Sequence, residues 1–214
     1  VNGPSAVRTK ICGVTSVEAA LACVALGADA VGVNLIPASP RHTSAETARA
    51  IALAVGARAL VVAVVADMTV EAMRALQRST GVGCLQLHGH EPPEAVAALL
   101  PHAYKAVRVA TAADVACAEA MPGDYVLVDA KIEGLLGGTG HRVDSALVAD
   151  LAKQRRVVLA GGLTPENVAQ AVAAVRPYCV DVASGVEQSP GVKDLARVEA
   201  FLAAVRGVRG VTPT

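Results

Sequence analysis

Short β-branched runs alternate along this chain with Ala-, Leu- and Glu-rich segments about two to three turns long, and no other feature restricts the fold as much. Eight strand candidates follow one another: Arg8 to Cys12, Ala30 to Leu35, Leu60 to Val65, Cys84 to His88, Tyr104 to Val109, Tyr125 to Asp129, Val157 to Ala160 and Val180 to Ala183. Helical segments fill most of the gaps, so the strands should run parallel, since a parallel neighbour is reached through a crossover that is usually a helix. Eight such units in 214 residues fit a single (β/α)8 TIM barrel with its working face at the C-terminal strand ends. An open doubly wound sheet is the competitor. Its dinucleotide fingerprint needs G-x-G-x-x-G after the first strand, but Gly13 is followed by "VTSVE", and "GGTGHRV" at Gly137 to Val143 ends in Val where the third glycine belongs.

Composition agrees with one compact unit. Hydrophobic residues make up 53 % but aromatics only 2 %, so Ala, Val and Leu must supply a tight helix-on-sheet core. No linker or composition shift divides residues 1–214, and "GVRGVTPT" at 207–214 reads as a frayed tail. Basic and acidic residues balance at 19 each, and no basic run exceeds Arg155 and Arg156, so no nucleic-acid partner is expected. No apolar run approaches the ~20 residues of a membrane span, and the first residues lack the apolar core of a secretory signal; a cytoplasmic protein is expected. Five cysteines at wide spacing, with no C-x-x-C pair, argue against a disulfide framework or a zinc site. Four of them sit in apolar runs, where a thiol packs as a small hydrophobe; Cys12 is the exception by position.

Helix starts are expected as capping boxes at Thr15 with Glu18 and Thr43 with Glu46, and as an N-cap at Thr164 before Pro165. Gly27 and Gly207 fall where helices should end.

The polar residues at the C-terminal strand ends are Cys12, Asn34, Asp67, His88, Arg108, Asp129 and Ser184. Cys12 ends the first strand and Asp129 the sixth, so the two can face each other across the barrel mouth. A thiolate is a competent proton acceptor and a desolvated carboxyl its matching acid; the alternative for Asp129 is a cap. "AGGLTPEN" and "ASGVEQSPGVKD" leave strands seven and eight through Gly161, Gly162, Ser184 and Gly185, where barrels often bind phosphate on bare backbone N–H groups. If Cys12 points into the mouth, Lys10 lies one layer deeper and needs a partner, for which Asp181 on strand eight is the candidate. Gln86 and His88 share a face of strand four. No second His or carboxylate lies at metal-ligand spacing from His88, so no metal is expected. Arg41, in "PASPRHTS", can grip a carboxylate in bidentate fashion.

Together "KICGVTSVEAA", "GADAVGVNLIPASPRHTS", "LQLHGHE", "LVDAKIEGLLGGTG", "LAGGLTPENV" and "VDVASGVEQSPGVKD" resemble, in order, the motifs of the phosphoribosylanthranilate isomerase family of tryptophan biosynthesis, from about Thr9 to Val205. The resemblance implies a cofactor-free Amadori rearrangement of N-(5-phosphoribosyl)anthranilate, a phosphosugar, by a monomer or homodimer. It implies Asp129 as acid, Cys12 as base, Arg41 on the anthranilate carboxylate, His88 and Asp181 lining the site, and Gly162, Ser184 and Gly185 on the phosphate. Two departures stand out. Gly32 to Leu35 lacks the aromatic residues of many relatives' strand-two motif, and Ala183 replaces the first Ser of the usual "VSSG".

Three other functions compete. The related sugar isomerase of histidine synthesis resembles a barrel with an aspartate in place of Cys12 and a second phosphate loop, for which "GVTSVEA" offers no match. An idle phosphosugar binder would need neither Cys12 nor Asp129. A nicotinamide-dependent oxidoreductase lacks its glycine fingerprint.

Overall fold

Eight parallel strands close on themselves in sequence order: β1 (Arg8–Cys12), β2 (Ala30–Asn34), β3 (Leu60–Val65), β4 (Cys84–Leu87), β5 (Ala103–Val109), β6 (Tyr125–Ala130), β7 (Arg156–Ala160) and β8 (Cys179–Val182). The computed structural model describes residues 7–130 and 145–208. Helices α1 (Val17–Ala25), α2 (Ala45–Val55), α3 (Val70–Thr80), α4 (Pro93–Leu99), α5 (Ala112–Ala120), α6 (Ser145–Gln154), α7 (Val168–Val175) and α8 (Leu195–Gly207) cover the outside. The architecture is the expected (β/α)8 TIM barrel, with each strand within a residue of its expected bounds at either end. The "GGTGHRV" segment and most of the 207–214 tail lie outside the described residues; Gly207 is the last residue of α8.

Period-2 alternation divides the apolar residues into two cores. Outward side chains such as Ile11, Val31, Val33, Leu85 and Leu159 are buried against the helices. A smaller cluster of Val62, Tyr104, Ala106, Leu127, Val158 and Cys179 fills the barrel interior. The register of β1 on β8 sets Lys10 opposite Asp181, and that of β1 on β2 sets Cys12 opposite Gly32. A Cβ on Gly32 would lie 2.7 Å from the Cys12 sulfur, so glycine there leaves room for the thiol.

Several expectations are corrected. The caps of α1 and α2 are Ser16 and Ser44, whose hydroxyls accept from Ala19 N and Thr47 N, one residue after the expected threonines. The Thr15 hydroxyl instead donates to Gly191 O at 2.8 Å. Pro165 opens a turn, and α7 begins only at Val168 because Asn167 folds back: its Oδ1 accepts from Thr164 N and its Nδ2 donates to Gly162 O. Of the thiols in apolar runs, Cys23 and Cys179 are buried, Cys84 is half-buried and Cys117 is exposed on α5. Beyond β8 a hairpin of β9 (Glu187–Ser189) and β10 (Val192–Lys193) was not foreseen.

Candidate active site

At the C-terminal end of the strands a cavity of about 270 Å³ is lined by Cys12, Arg41, His88, Asp129, Gly161, Gly162, Asp181 and Ser184, with Asn34 and Gln86 among its other walls. Most of the polar and glycine residues singled out in the sequence therefore meet on one cavity. Gly185 stands just outside its lining. Asp67 and Arg108, also at strand ends, do not line it. A larger cavity of about 710 Å³ opens at the opposite, N-terminal end of the barrel and includes none of these residues.

Cys12 ends β1 and is half-buried. Burial pushes its thiol above the ordinary value, the Lys10 ammonium below it opposes that rise, and the Asp181 carboxylate adds to it. The barrel thus keeps most of the sulfur protonated at neutral pH while supplying two cations, Lys10 and Lys193, that favour thiolate.

Beneath Cys12 lies a buried polar chain. Lys10 Nζ donates to Asp181 Oδ2 at 2.8 Å and to Gln86 Oε1 at 2.9 Å. The Tyr104 hydroxyl donates to the same Gln86 oxygen at 3.0 Å, and Gln86 Nε2 lies 3.2 Å from His88 Nδ1. Burial works against the charge on Lys10, but Asp181, Cys12 and Tyr104 outweigh it and hold its pKa well above the usual lysine value. Asp181 Oδ1 is buried, faces no hydrogen-bond donor among the described residues, and belongs to a residue lining the cavity. An acceptor of that kind is costly unless a ligand donor completes it.

Arg41 reaches the site over Gly13. A Cβ on Gly13 would lie 2.5 Å from Arg41 Cδ, and the φ of +76° there is open to glycine at no steric cost. The carboxylate that Arg41 grips here is the protein's own: Nε lies 2.9 Å from Glu187 Oε1 and Nη2 lies 2.7 Å from Glu187 Oε2. Lys193 Nζ also donates to Glu187 Oε1, at 2.8 Å, and to the Cys12 carbonyl. Burial disfavours the Glu187 carboxylate, but the bonds from Arg41 and Lys193 outweigh it and keep its pKa below the usual range. The β9–β10 hairpin thereby fixes both Arg41 and the end of β1.

The loops after β7 and β8 close the far side. Gly161 adopts φ +106°, and a Cβ on it would sit 2.3 Å from Ala130 O; one on Gly185 would sit 1.9 Å from Leu163 O. Neither loop has room for a side chain at these points. Arg197 Nε donates to Gly185 O at 3.0 Å, tying the loop to α8. On the other side Glu91, Lys105 and Asp67 brace the turn after β4: Glu91 accepts from Asp67 N, Gly89 N and Lys105 Nζ. Sequence reasoning missed Glu187, Lys193, Asn167, Glu91 and Lys105. The signal they offered was a polar or charged side chain in an otherwise apolar or glycine-rich stretch, which does not by itself name a partner.

Among the described residues, no group of three or more His, Cys, Asp or Glu side chains is placed to hold a metal ion. No helix among them is long and apolar enough to cross a membrane. A closed parallel barrel with a thiol, carboxylates and an imidazole converging on one cavity at its C-terminal face has the build of a (β/α)8-barrel enzyme.

Comparison with known proteins narrows that class. A family model described as "N-(5'phosphoribosyl)anthranilate (PRA) isomerase" matches residues 9–204. The N-(5'-phosphoribosyl)anthranilate isomerase of Pseudomonas syringae pv. syringae is 42 % identical over 205 residues, 95 % of this chain and 99 % of the relative. The crystal structure of phosphoribosyl anthranilate isomerase from Thermotoga maritima superposes with a TM-score of 0.84 at 37 % identity, covering 94 % of this chain and 99 % of that one. A further structure of the isomerase, in complex with reduced 1-(o-carboxyphenylamino)-1-deoxyribulose 5-phosphate, gives a TM-score of 0.81 at 35 % identity over 94 % of this chain and 99 % of that one. The chain belongs to the phosphoribosylanthranilate isomerase family.

Proposed function

We propose that this protein rearranges N-(5'-phosphoribosyl)anthranilate to 1-(o-carboxyphenylamino)-1-deoxyribulose 5-phosphate, the aldose-to-ketose step of tryptophan biosynthesis, and that Cys12 and Asp129 move the protons. The observation that carries the reading is that these two side chains, from β1 and β6, line the same cavity between the Arg41 loop and the glycine loops. Asp129 gives its proton to the furanose ring oxygen as the C1'–O bond breaks and the anilinic nitrogen lone pair forms the iminium. The Cys12 thiolate then takes the C2' proton, and that electron pair moves to neutralise the iminium as an enolamine. Tautomerisation, with C1' gaining a proton and the 2'-hydroxyl losing one, gives the ketone. Atoms and electrons balance within one molecule, so the step calls for no redox partner.

The other roles follow from the same pose. Arg41 uses Nε and Nη2 on Glu187 and offers Nη1 to the anthranilate carboxylate. Asp181 Oδ1 accepts a sugar hydroxyl, which supplies the donor it lacks. Gly161, Gly162, Ser184 and Gly185 take the phosphate, favoured by backbone that approaches too closely for any Cβ at Gly161 and Gly185. The reading carries with it a cytoplasmic enzyme, monomeric or homodimeric, with no cofactor, metal, nucleic-acid or membrane partner; sedimentation of the purified protein decides the oligomeric state.

The test is loss of anthranilate-type fluorescence when the protein is given phosphoribosylanthranilate made in situ. Turnover by the parent, with a loss of about 10³-fold or more in both Cys12→Ala and Asp129→Asn, is expected for groups that transfer protons in the transition state. A parent that binds a product analogue without turnover would leave a phosphosugar binder.

A further inference from the structure

The polar chain beneath the cavity constrains one group that the proton-transfer scheme leaves unassigned. Lys10 carries only donors, so the Gln86 atom facing it must be the amide oxygen. The Tyr104 hydroxyl donates to that same oxygen. The orientation of the Gln86 amide is therefore fixed from two sides, and its NH2 is what faces His88 Nδ1. An NH2 group can only donate, so Nδ1 must be an acceptor with its lone pair free. The imidazole proton is then on Nε2, which has no hydrogen-bond partner among the described residues, on a ring that lines the cavity.

We infer that Gln86, held by Lys10 and Tyr104, is a positioning residue that fixes His88 as the neutral Nε2–H tautomer, a hydrogen-bond donor beside Asp129 and not a base. The inference rests on the isomerase reading for its catalytic meaning, though not for the tautomer itself. When Asp129 passes its proton to the ring oxygen, a carboxylate develops beside a fixed N–H donor, and His88 keeps its own proton. The division of labour follows: Cys12 is the single proton acceptor, and a second base that would compete for Asp129's proton is withheld.

The charges around the ring agree. Burial lowers the His88 pKa; Asp129 on β6 opposes this, while Arg108 and Lys105 on β5 and Lys10 on β1 reinforce it. Arg41, Asp181 and Cys12 stand further round the same cavity. A ring so surrounded stays neutral through the neutral range, where its tautomer decides what it does.

The experiment is a long-range ¹H–¹⁵N correlation spectrum of ¹⁵N-histidine protein, with the His88 signals assigned among the five histidines by their loss in His88→Asn. In the parent at neutral pH, Nδ1 should read as the unprotonated nitrogen and Nε2 as the protonated one. Gln86→Glu keeps acceptors for Lys10 and Tyr104 but turns the donor facing Nδ1 into an acceptor. It should move a proton onto Nδ1, raise the His88 pKa by about 1–3 units, and lower kcat/KM by about tenfold or more, as one directed hydrogen bond is lost. Gln86→Met, which removes donor and acceptor with little change of shape, should leave a mixture of tautomers with the fold intact by circular dichroism. An Nδ1–H tautomer in the parent overturns the inference, and so does a His88 signal unchanged in Gln86→Glu. An Nε2–H parent without isomerase activity would support the tautomer and sink the isomerase reading, so the two fail separately.

Discussion

Lys10→Met isolates what the buried ion pair contributes. Lys10 and Asp181 have side chains 2 % and 6 % exposed and stand 2.8 Å apart. Removing the ammonium leaves a buried carboxylate, one oxygen of which already lacks a donor among the described residues, with no cation beside it. Breaking a buried pair in this way costs about 3–5 kcal/mol. Gln86 Oε1 keeps the Tyr104 donor, so its loss adds little. For a chain of this size each kcal/mol shifts Tm by about 2–4 °C, so Tm should fall by roughly 6–20 °C. Thermal unfolding followed by circular dichroism measures it. The pH dependence has a definite sign. A lysine whose folded pKa is raised contributes its stability in full below the unfolded value and loses it as pH rises through the folded one. The gap between parent and variant should therefore hold constant from about pH 6 to 9 and narrow only above about pH 10.5. Lys10→Met with Asp181→Asn should recover at least half of the loss, since the orphaned charge is then gone. A Tm drop below about 2 °C, or a double variant less stable than the single one, would refute the account of a charge held in place by its partner.

Two further outcomes test the site. Because burial pushes the Cys12 thiol above its ordinary value, alkylation of Cys12 by iodoacetamide, which needs the thiolate, should climb with pH and still be rising past the range of a free thiol, about 8.5; a rate already level below pH 7, read at Cys12 by mass spectrometry, would refute the account of a thiol raised by burial. Gly185→Ala places a methyl 1.9 Å from the Leu163 carbonyl, so the two loops must part. KM for the phosphosugar should rise about tenfold or more with a smaller change in kcat, as expected for binding lost alike in ground and transition states.

The sequence by itself determined the barrel and much of its mouth. Strand alternation has a period of 2, so once Cys12 faces the mouth Lys10 must lie one layer below. Sequential parallel strands that close put β8 beside β1, which brings Asp181 to Lys10 across 171 residues of chain. Strand ends are marked locally by glycine and polar residues, which is why Cys12, His88 and Asp129 could be read as facing one cavity. The tertiary structure decided whatever depended on a choice between chemically similar neighbours. Thr15 and Ser16 can both cap a helix, and the contact of Thr15 with Gly191, 176 residues away, leaves the cap to Ser16. Arg41 can grip any carboxylate, and only the folding of a hairpin 146 residues later supplies Glu187. His88 can carry its proton on either nitrogen, and a lysine on β1 and a tyrosine on β5 settle the question through one glutamine amide. Local pattern fixes which face a side chain occupies; which hydrogen bond it makes there depends on partners that only the closed barrel brings within 3 Å or so.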